Sequence, residues 1–455
     1  MSTPLDDAPE LCRLGAAALT EQYRSRRLSP VEVAQACLAR AEQVQARCNA
    51  FVAIDHEGAL HAARESETRW SHGVARGPLD GVPATLKDIV LIAGQPVAYG
   101  SAQKPVTAAQ DSPAVALLRE AGSVFLGRTT TPEFGWKALT DSPAFGITRN
   151  PWNPQVTPGG SSGGAAVAAA AGAGVLHLGT DGGGSIRIPA AFCSIVGLKP
   201  TFGRVPAAPA SPFGTVAHLG PMTRSAEDAA LMLEAMSARD TRDWFQNVLP
   251  FPKAVGARFD FAGKRIGVWA QPAGGRTAPE VTAVFEAALR RLEQAGAVLQ
   301  PIDLPMMDEL PALFRTHWFA GAAQRLRGLE RAGIDPGLCE IADQGAAIPL
   351  ADYMAATTRR AGFGAAMDTL MLEMDLIVSP AVAIPPPPVG QEFPEGAGMT
   401  RWTDWAGFSY PVNLWQAPAA VAPTATPMIS LQFIAARGRD DIALAATGAW
   451  STLAT

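Results

Sequence analysis

Cysteine, histidine and basic excess are all scarce in this chain of 455 residues, and each scarcity closes off a class of function. The five cysteines, Cys12, Cys37, Cys48, Cys193 and Cys339, are odd in number, scattered and free of any C-x-x-C pair. They read as reduced packing residues rather than a disulfide framework or a zinc site. The six histidines form no H-E-x-x-H pattern or other ligand spacing, so neither a metal nor a cofactor is expected. A formal net charge of -5 offers no basic surface for a nucleic-acid partner. No apolar run is long enough to span a bilayer, and the acidic start that ends in Asp6-Asp7 does not lead into an apolar signal core. The expectation is a cytoplasmic protein without a membrane partner. Composition says nothing of oligomeric state.

What is present is material for a large core, with 48% hydrophobic and only 17% charged residues. Ser29-Pro30-Val31-Glu32 reads as a capping box with proline at the first helical position, opening an amphipathic helix to about Ala46. Leu79 to Leu86 reads as a turn feeding a short strand, with Lys87 at its end. A helix over 112–121 followed by a buried strand over 123–127 gives the βα alternation of a parallel or mixed sheet. Further strands are expected at 175–180, 196–200, 264–269 and 376–380, with an apolar segment at 297–302 and a helix over 278–294. Residues 305–370 read as helical and peripheral, and the Gly- and Pro-rich stretch beyond Ile384 as a loop or lid, with 390–409 a candidate mobile cover. The fold class expected is α/β, a mixed central sheet with helices on both faces. It forms a single domain over 1–455, with a catalytic core at about 60–240 and a helical and lid region at about 305–410.

Two glycine-rich serine clusters stand out, Gly159-Gly160-Ser161-Ser162-Gly163-Gly164 and Asp181-Gly182-Gly183-Gly184-Ser185. Seven glycines around three serines suit backbone amides that must approach something closely. A developing negative charge is the natural candidate. A serine hydroxyl becomes a nucleophile only when a base takes its proton, and a lysine serves where burial keeps it neutral. Lys87 is the candidate base, a second serine could relay the proton, and the glycine loop could supply oxyanion donors worth about 3 kcal/mol each.

These segments carry a family resemblance. Gly81-Val82-Pro83 with Leu86-Lys87-Asp88, Thr131-Pro132-Glu133-Phe134, Thr148-Arg149-Asn150-Pro151-Trp152, the two serine clusters and Gly197-Leu198-Lys199-Pro200-Thr201 resemble the amidase signature family. The likeness extends over most of the chain. Spacing agrees, with 74 positions from Lys87 to Ser161 and 24 from Ser161 to Ser185. The resemblance implies a Ser-cisSer-Lys triad: Ser185 as acylated nucleophile, Ser161 as bridging serine after a cis peptide, and Lys87 as base. It also implies an oxyanion hole from the amides of Gly182, Gly183, Gly184 and Ser185, with Ser162, Asp181 and Arg187, and also Thr180, in support. The reaction implied is hydrolysis of a small-molecule amide, ester or carbamate. Trp136, Trp152, Trp318, Trp402, Trp405 and Trp415 fall in segments that border the acyl site in this family, which favours aryl or bulky apolar substrates. Two departures touch substrate choice: Thr426 to Gln432 lacks the usual glycine, and Ala217 stands where an acidic residue is common.

Other readings compete. Ser161 and Ser162 could cap the alanine-rich helix that follows them. Gly160 to Gly164 also satisfies G-x-S-x-G around Ser162, a nucleophile elbow that would need His177, His218 or His317. Nucleotide binding lacks a complete phosphate motif. A glutaminase subunit of an amidotransferase would use the same triad with a partner protein.

Overall fold

The structure, a computed structural model, describes residues 3–247 and 250–454. Its frame is an 11-stranded sheet. In chain order the strands are β1 (Phe51–Ile54), β2 (Pro83–Lys87), β3 (Val124–Thr129), β4 (Leu176–Asp181), β5 (Val196–Lys199), β6 (His218–Thr223), β7 (Arg265–Val268), β8 (Val298–Pro301), β9 (Leu376–Pro380), β10 (Ala419–Pro423) and β11 (Ser430–Ile434). Their order in space is β1-β3-β2-β4-β6-β5-β10-β11-β9-β7-β8. β3, β2 and β4 run parallel, as do β9, β7 and β8. The strands between these groups, and β1 at the edge, pair antiparallel. The sheet is therefore mixed, as the sequence implied.

Strand alternation divides the core into two layers. Ile377, Ala419 and Val421 face one layer, while Leu376, Val378, Ala420 and Ala422 face the other. Helices cover both. The parallel pairs β2–β3 and β7–β8 are joined through the helices Pro113–Glu120 and Pro279–Gln294, the crossover that parallel strands require. The expected capping box at Ser29 is present in both directions, and its helix runs Pro30–Cys48.

The helix Gly163–Ala171 shows why small residues stand after the first serine cluster. All nine of its residues are buried. A Cβ on Gly164 would lie 2.5 Å from both the Ala50 oxygen and the Thr130 nitrogen, so the helix can approach the sheet edge only without side chains there.

Two expectations change. The strand anticipated at 123–127 continues to Thr129, which keeps β3 beside Lys87. The region 305–370 forms the helices Leu310–Leu326, Pro336–Ala346 and Leu350–Leu370, but the first of these is not peripheral. It buries Phe314 and Trp318 against the second glycine cluster. Among the described residues no helix is long and apolar enough to cross a membrane.

Candidate active site

Lys87 ends β2 between two parallel neighbours and is wholly buried. Its Nζ lies 2.6 Å from Ser161 Oγ, 3.0 Å from Ser162 Oγ and 2.8 Å from Thr180 Oγ1. Burial strips water from the ammonium and pulls its pKa well below the usual lysine value, and the Asp181 charge opposes this only in part. The Asp181 carboxylate is not among the hydrogen-bond partners of Lys87. Its oxygens are taken by Arg187, by Asn413 and by backbone amides.

Ser161 follows a cis peptide bond from Gly160. Ser162 occupies the N-cap position of Gly163–Ala171, yet its hydroxyl does not cap the helix. It donates to the Thr180 carbonyl at 3.1 Å and accepts the Thr180 amide at 3.2 Å. The capping alternative for Ser162 is thus replaced by a bond across to β4. A backbone bond from Ser162 N to the Ser185 carbonyl, 3.1 Å, ties the two serine clusters together.

The second cluster turns around Asp181, the last residue of β4. Arg187 meets it through Nε at 3.0 Å and Nη2 at 3.1 Å, and both side chains are fully buried. Burial alone would raise the Asp181 pKa, but Arg187, Lys199 and the Asn413 hydrogen bond outweigh it and hold the carboxyl far below the ordinary range. The Gly184 amide donates to Asp181 Oδ1 at 2.8 Å. That amide is spent on the turn, while those of Gly182, Gly183 and Ser185 have no protein partner among the described residues. Gly182 and Gly183 are pressed against rings: a Cβ would come within 2.6 Å of Trp318 at the first and 2.6 Å of Phe314 at the second.

The loop opens into a cavity of about 760 Å³. Ser161, Thr180, Gly182 and Ser185 line it, with walls that include Ile89, Tyr99, Phe134, Phe202, Phe213 and Trp318. Of the six tryptophans anticipated, only Trp318 reaches the cavity. Trp402 backs Gly183, Trp136 accepts the Trp318 indole N–H on its carbonyl, and Trp152, Trp405 and Trp415 bond the Cys193 carbonyl, the Glu392 carbonyl and Asp368. The second half of the segment anticipated as a cover, 390–409, is packed inside: Trp402 and Ser409 lie against Gly183 and Gly184, and Trp405 and Phe408 are buried against Phe192 and Trp269. The mouth is bounded instead by 201–219, Phe245 and the helix end around Arg325. Ala217 lines this mouth, where an acidic side chain would have placed a charge.

The elbow reading fails on geometry. Ser162 Oγ has no histidine partner; His177 bonds Thr85, His218 bonds backbone carbonyls and Lys199, and His317 packs on Tyr353. Sequence reasoning missed Asn413 and Gln432, which complete the shell of Arg187 at 2.7 and 3.2 Å. Both lie more than 220 positions away, and neither stands in a motif that pointed to this loop.

Comparison with known proteins places the chain among amidases. The amidase family profile matches residues 32–444. An acylamidase of Rhodococcus erythropolis is 36% identical over 449 residues, 95% of this chain and 93% of that protein. A glutamyl-tRNA(Gln) amidotransferase subunit of Carboxydothermus hydrogenoformans is 38% identical over 304 residues, but these span 65% of this chain and 62% of that protein. A solved bacterial aryl acylamidase of the amidase signature family superposes with a TM-score of 0.88 at 28% identity, over 97% of this chain and 96% of that one. For 6-aminohexanoate cyclic dimer hydrolase the TM-score is 0.87 at 27% identity, over 98% of both chains. The chain belongs to the amidase signature family and is an amidohydrolase.

Proposed function

We propose that this amidohydrolase cleaves acylamides with bulky apolar or aryl groups, through an acyl-enzyme on Ser185. The observation that carries the reading is Lys87, fully buried and 2.6 Å from Ser161. A neutral amine has two hydrogens and one lone pair. The Ser162 hydrogen is committed to the Thr180 carbonyl, so Ser162 can only accept from Nζ. With Thr180 Oγ1 accepting the second hydrogen, the lone pair of Nζ is left for the Ser161 hydroxyl. Ser161 Oγ is then an acceptor for the proton of Ser185.

In the first half-reaction Ser185 Oγ bonds to the acyl carbon, and its proton passes through Ser161 to Lys87. The oxyanion is met by the free amides of Gly182, Gly183 and Ser185. As the C–N bond breaks, the proton returns from Lys87 through Ser161 to the leaving amine. Water repeats the cycle on the acyl-enzyme and releases the carboxylic acid. Esters and carbamates present the same carbonyl to the same groups. The reading takes the chain as acting alone in the cytoplasm.

A second reading, glutaminase component of an amidotransferase, draws on the similarity to the Carboxydothermus hydrogenoformans protein. The apolar walls and Ala217 favour the first. The test is a panel of aliphatic amide, anilide, aryl ester, carbamate and glutamine with wild type and Ser185→Ala. Turnover of the anilide by the isolated chain, lost in the variant, is expected. Turnover of glutamine alone, and only with a partner added, supports the second reading.

A further inference from the structure

Arg325 sits at the rim of the cavity that holds Ser185. Its guanidinium carbon lies 4.0 Å from the Phe134 ring centroid and 4.6 Å from that of Tyr99. Among the described residues it has neither a hydrogen-bond nor a carboxylate partner. Of the other arginines close to the site, Arg187 is held by Asp181 and Arg360 by Thr215 and two carbonyls, while Arg128 bonds the Val90 carbonyl through Nη1 alone. Burial pulls the Arg325 pKa down from the usual arginine value, with the Tyr99 phenol opposing in part, yet an arginine stays charged at neutral pH.

The platform beneath this cation is held by the backbone. Tyr99 and Phe134 both have positive φ, 56° and 52°, and the Phe134 amide donates to the Tyr99 carbonyl at 2.8 Å. Asp88, next to Lys87, accepts the amides of Ala98 and Gly100 on either side of Tyr99. Left-handed conformations at two aromatic residues are unfavourable and persist where the surroundings fix them, often at ligand sites. A guanidinium held over aromatic rings without a hydrogen-bond partner keeps its N–H donors free, which suits a planar two-oxygen acceptor. The two carboxylates that line the cavity do not compete. Asp181 is saturated by Arg187, and Asp243 accepts the amides of Ala207 and Phe245. Arg327 adds a second positive charge to the lining.

We propose that Arg325 is a specificity residue that binds a carboxylate on the substrate, so that the preferred acylamides are anionic. This rests on the reading of the site as an acylamide hydrolase. Gly135, the neighbour of Phe134, approaches Ser161 so closely that a Cβ would lie 3.1 Å from its Oγ. The charge-reading wall and the reacting groups are therefore adjacent, and the carboxylate belongs a few atoms from the scissile bond.

The test uses matched pairs: 4-acetamidobenzoate and its methyl ester for the amine side, glutaryl 4-nitroanilide and its methyl ester for the acyl side, with amide cleavage followed. In at least one pair the carboxylate is expected to have a tenfold or greater advantage in kcat/KM. Arg325→Gln should collapse that ratio toward one, and Arg325→Lys should leave an intermediate ratio. A ratio below about two in both pairs for wild type, or a ratio that Arg325→Gln leaves unchanged, overturns the proposal. Calorimetric binding of the four compounds to Ser185→Ala reads the same preference without turnover. A preference in binding with no hydrolysis by wild type would sink the acylamidase reading and keep the carboxylate site.

Discussion

Gly183→Ala probes the oxyanion loop through space alone. Gly183 has no positive φ that would strain alanine; what excludes a methyl is the Phe314 ring edge at 2.6 Å and Trp402 at 2.9 Å. Neither ring can swing aside. Phe314 is fully buried and stacks on Trp318 at 5.5 Å and Tyr410 at 4.7 Å, while Trp402 sits edge-on to Phe314 and Trp318. Ordinary contact begins at 3.4 Å, so the loop must retreat by about 0.8 Å. Overpacking of this kind costs about 1–3 kcal/mol of stability. A displaced oxyanion donor costs about 3 kcal/mol in the transition state, on the order of 10²–10³ in kcat. Single-turnover hydrolysis of a neutral anilide, with thermal melting in parallel, should show kcat falling by about that factor while the protein still melts cooperatively. Wild-type kcat in a folded Gly183→Ala would refute the assignment of this amide.

Three further outcomes follow from named contacts. Asp181→Asn strands the buried Arg187 charge and should cost about 3–5 kcal/mol in denaturant unfolding. Because the folded state favours the ionised Asp181, its contribution is complete above the unfolded carboxyl pKa of about 3.9 and is lost as pH falls, so the variant should also show a shallower acid limb. Activity requires neutral Lys87, whose pKa is pulled down by burial, so kcat/KM should rise with pH along a limb placed well below 10.5; Thr180→Val, which removes one partner of Nζ, should lower kcat and move that limb. Gly364→Ala, in the helix Leu350–Leu370 with open space around the new methyl, should stabilise by about 0.5–1 kcal/mol and leave kinetics unchanged.

The parts of this site that were legible in the sequence are those whose chemistry is local. Lys87 at a strand end, serines among glycines and an aspartate that opens the glycine turn are each readable within a few residues, because the turn and the close approach need those residue types in that order. The alternation of apolar strands and helical segments likewise disclosed a mixed sheet between helical layers. What was not legible depends on contacts across the fold. Asn413 and Gln432 meet Arg187 only because β10 and β11 close the sheet beside β5. Trp318 belongs to a helix whose composition read as peripheral, yet a glycine without a Cβ is the only thing that lets its ring reach the loop. The segment at 390–409 reads as a cover because of its glycines and prolines, while the buried side chains from Trp402 to Ser409 make its second half a support. The unpaired state of Arg325 is a property of its surroundings and leaves no trace in the local sequence.

The central claim, that Ser185 carries the acyl group and Lys87 activates it, is tested most directly by trapping the acyl-enzyme with a slowly deacylating aryl carbamate and localising the adduct by fragment mass spectrometry. The tryptic peptide that runs from Asn150 to Arg187 contains all three serines, so fragmentation within it distinguishes them. The expected result is one carbamoyl group on Ser185, with Ser161 and Ser162 unmodified and no labelling in Lys87→Ala. A label on Ser161 or Ser162, or stoichiometric labelling without Lys87, would contradict the claim.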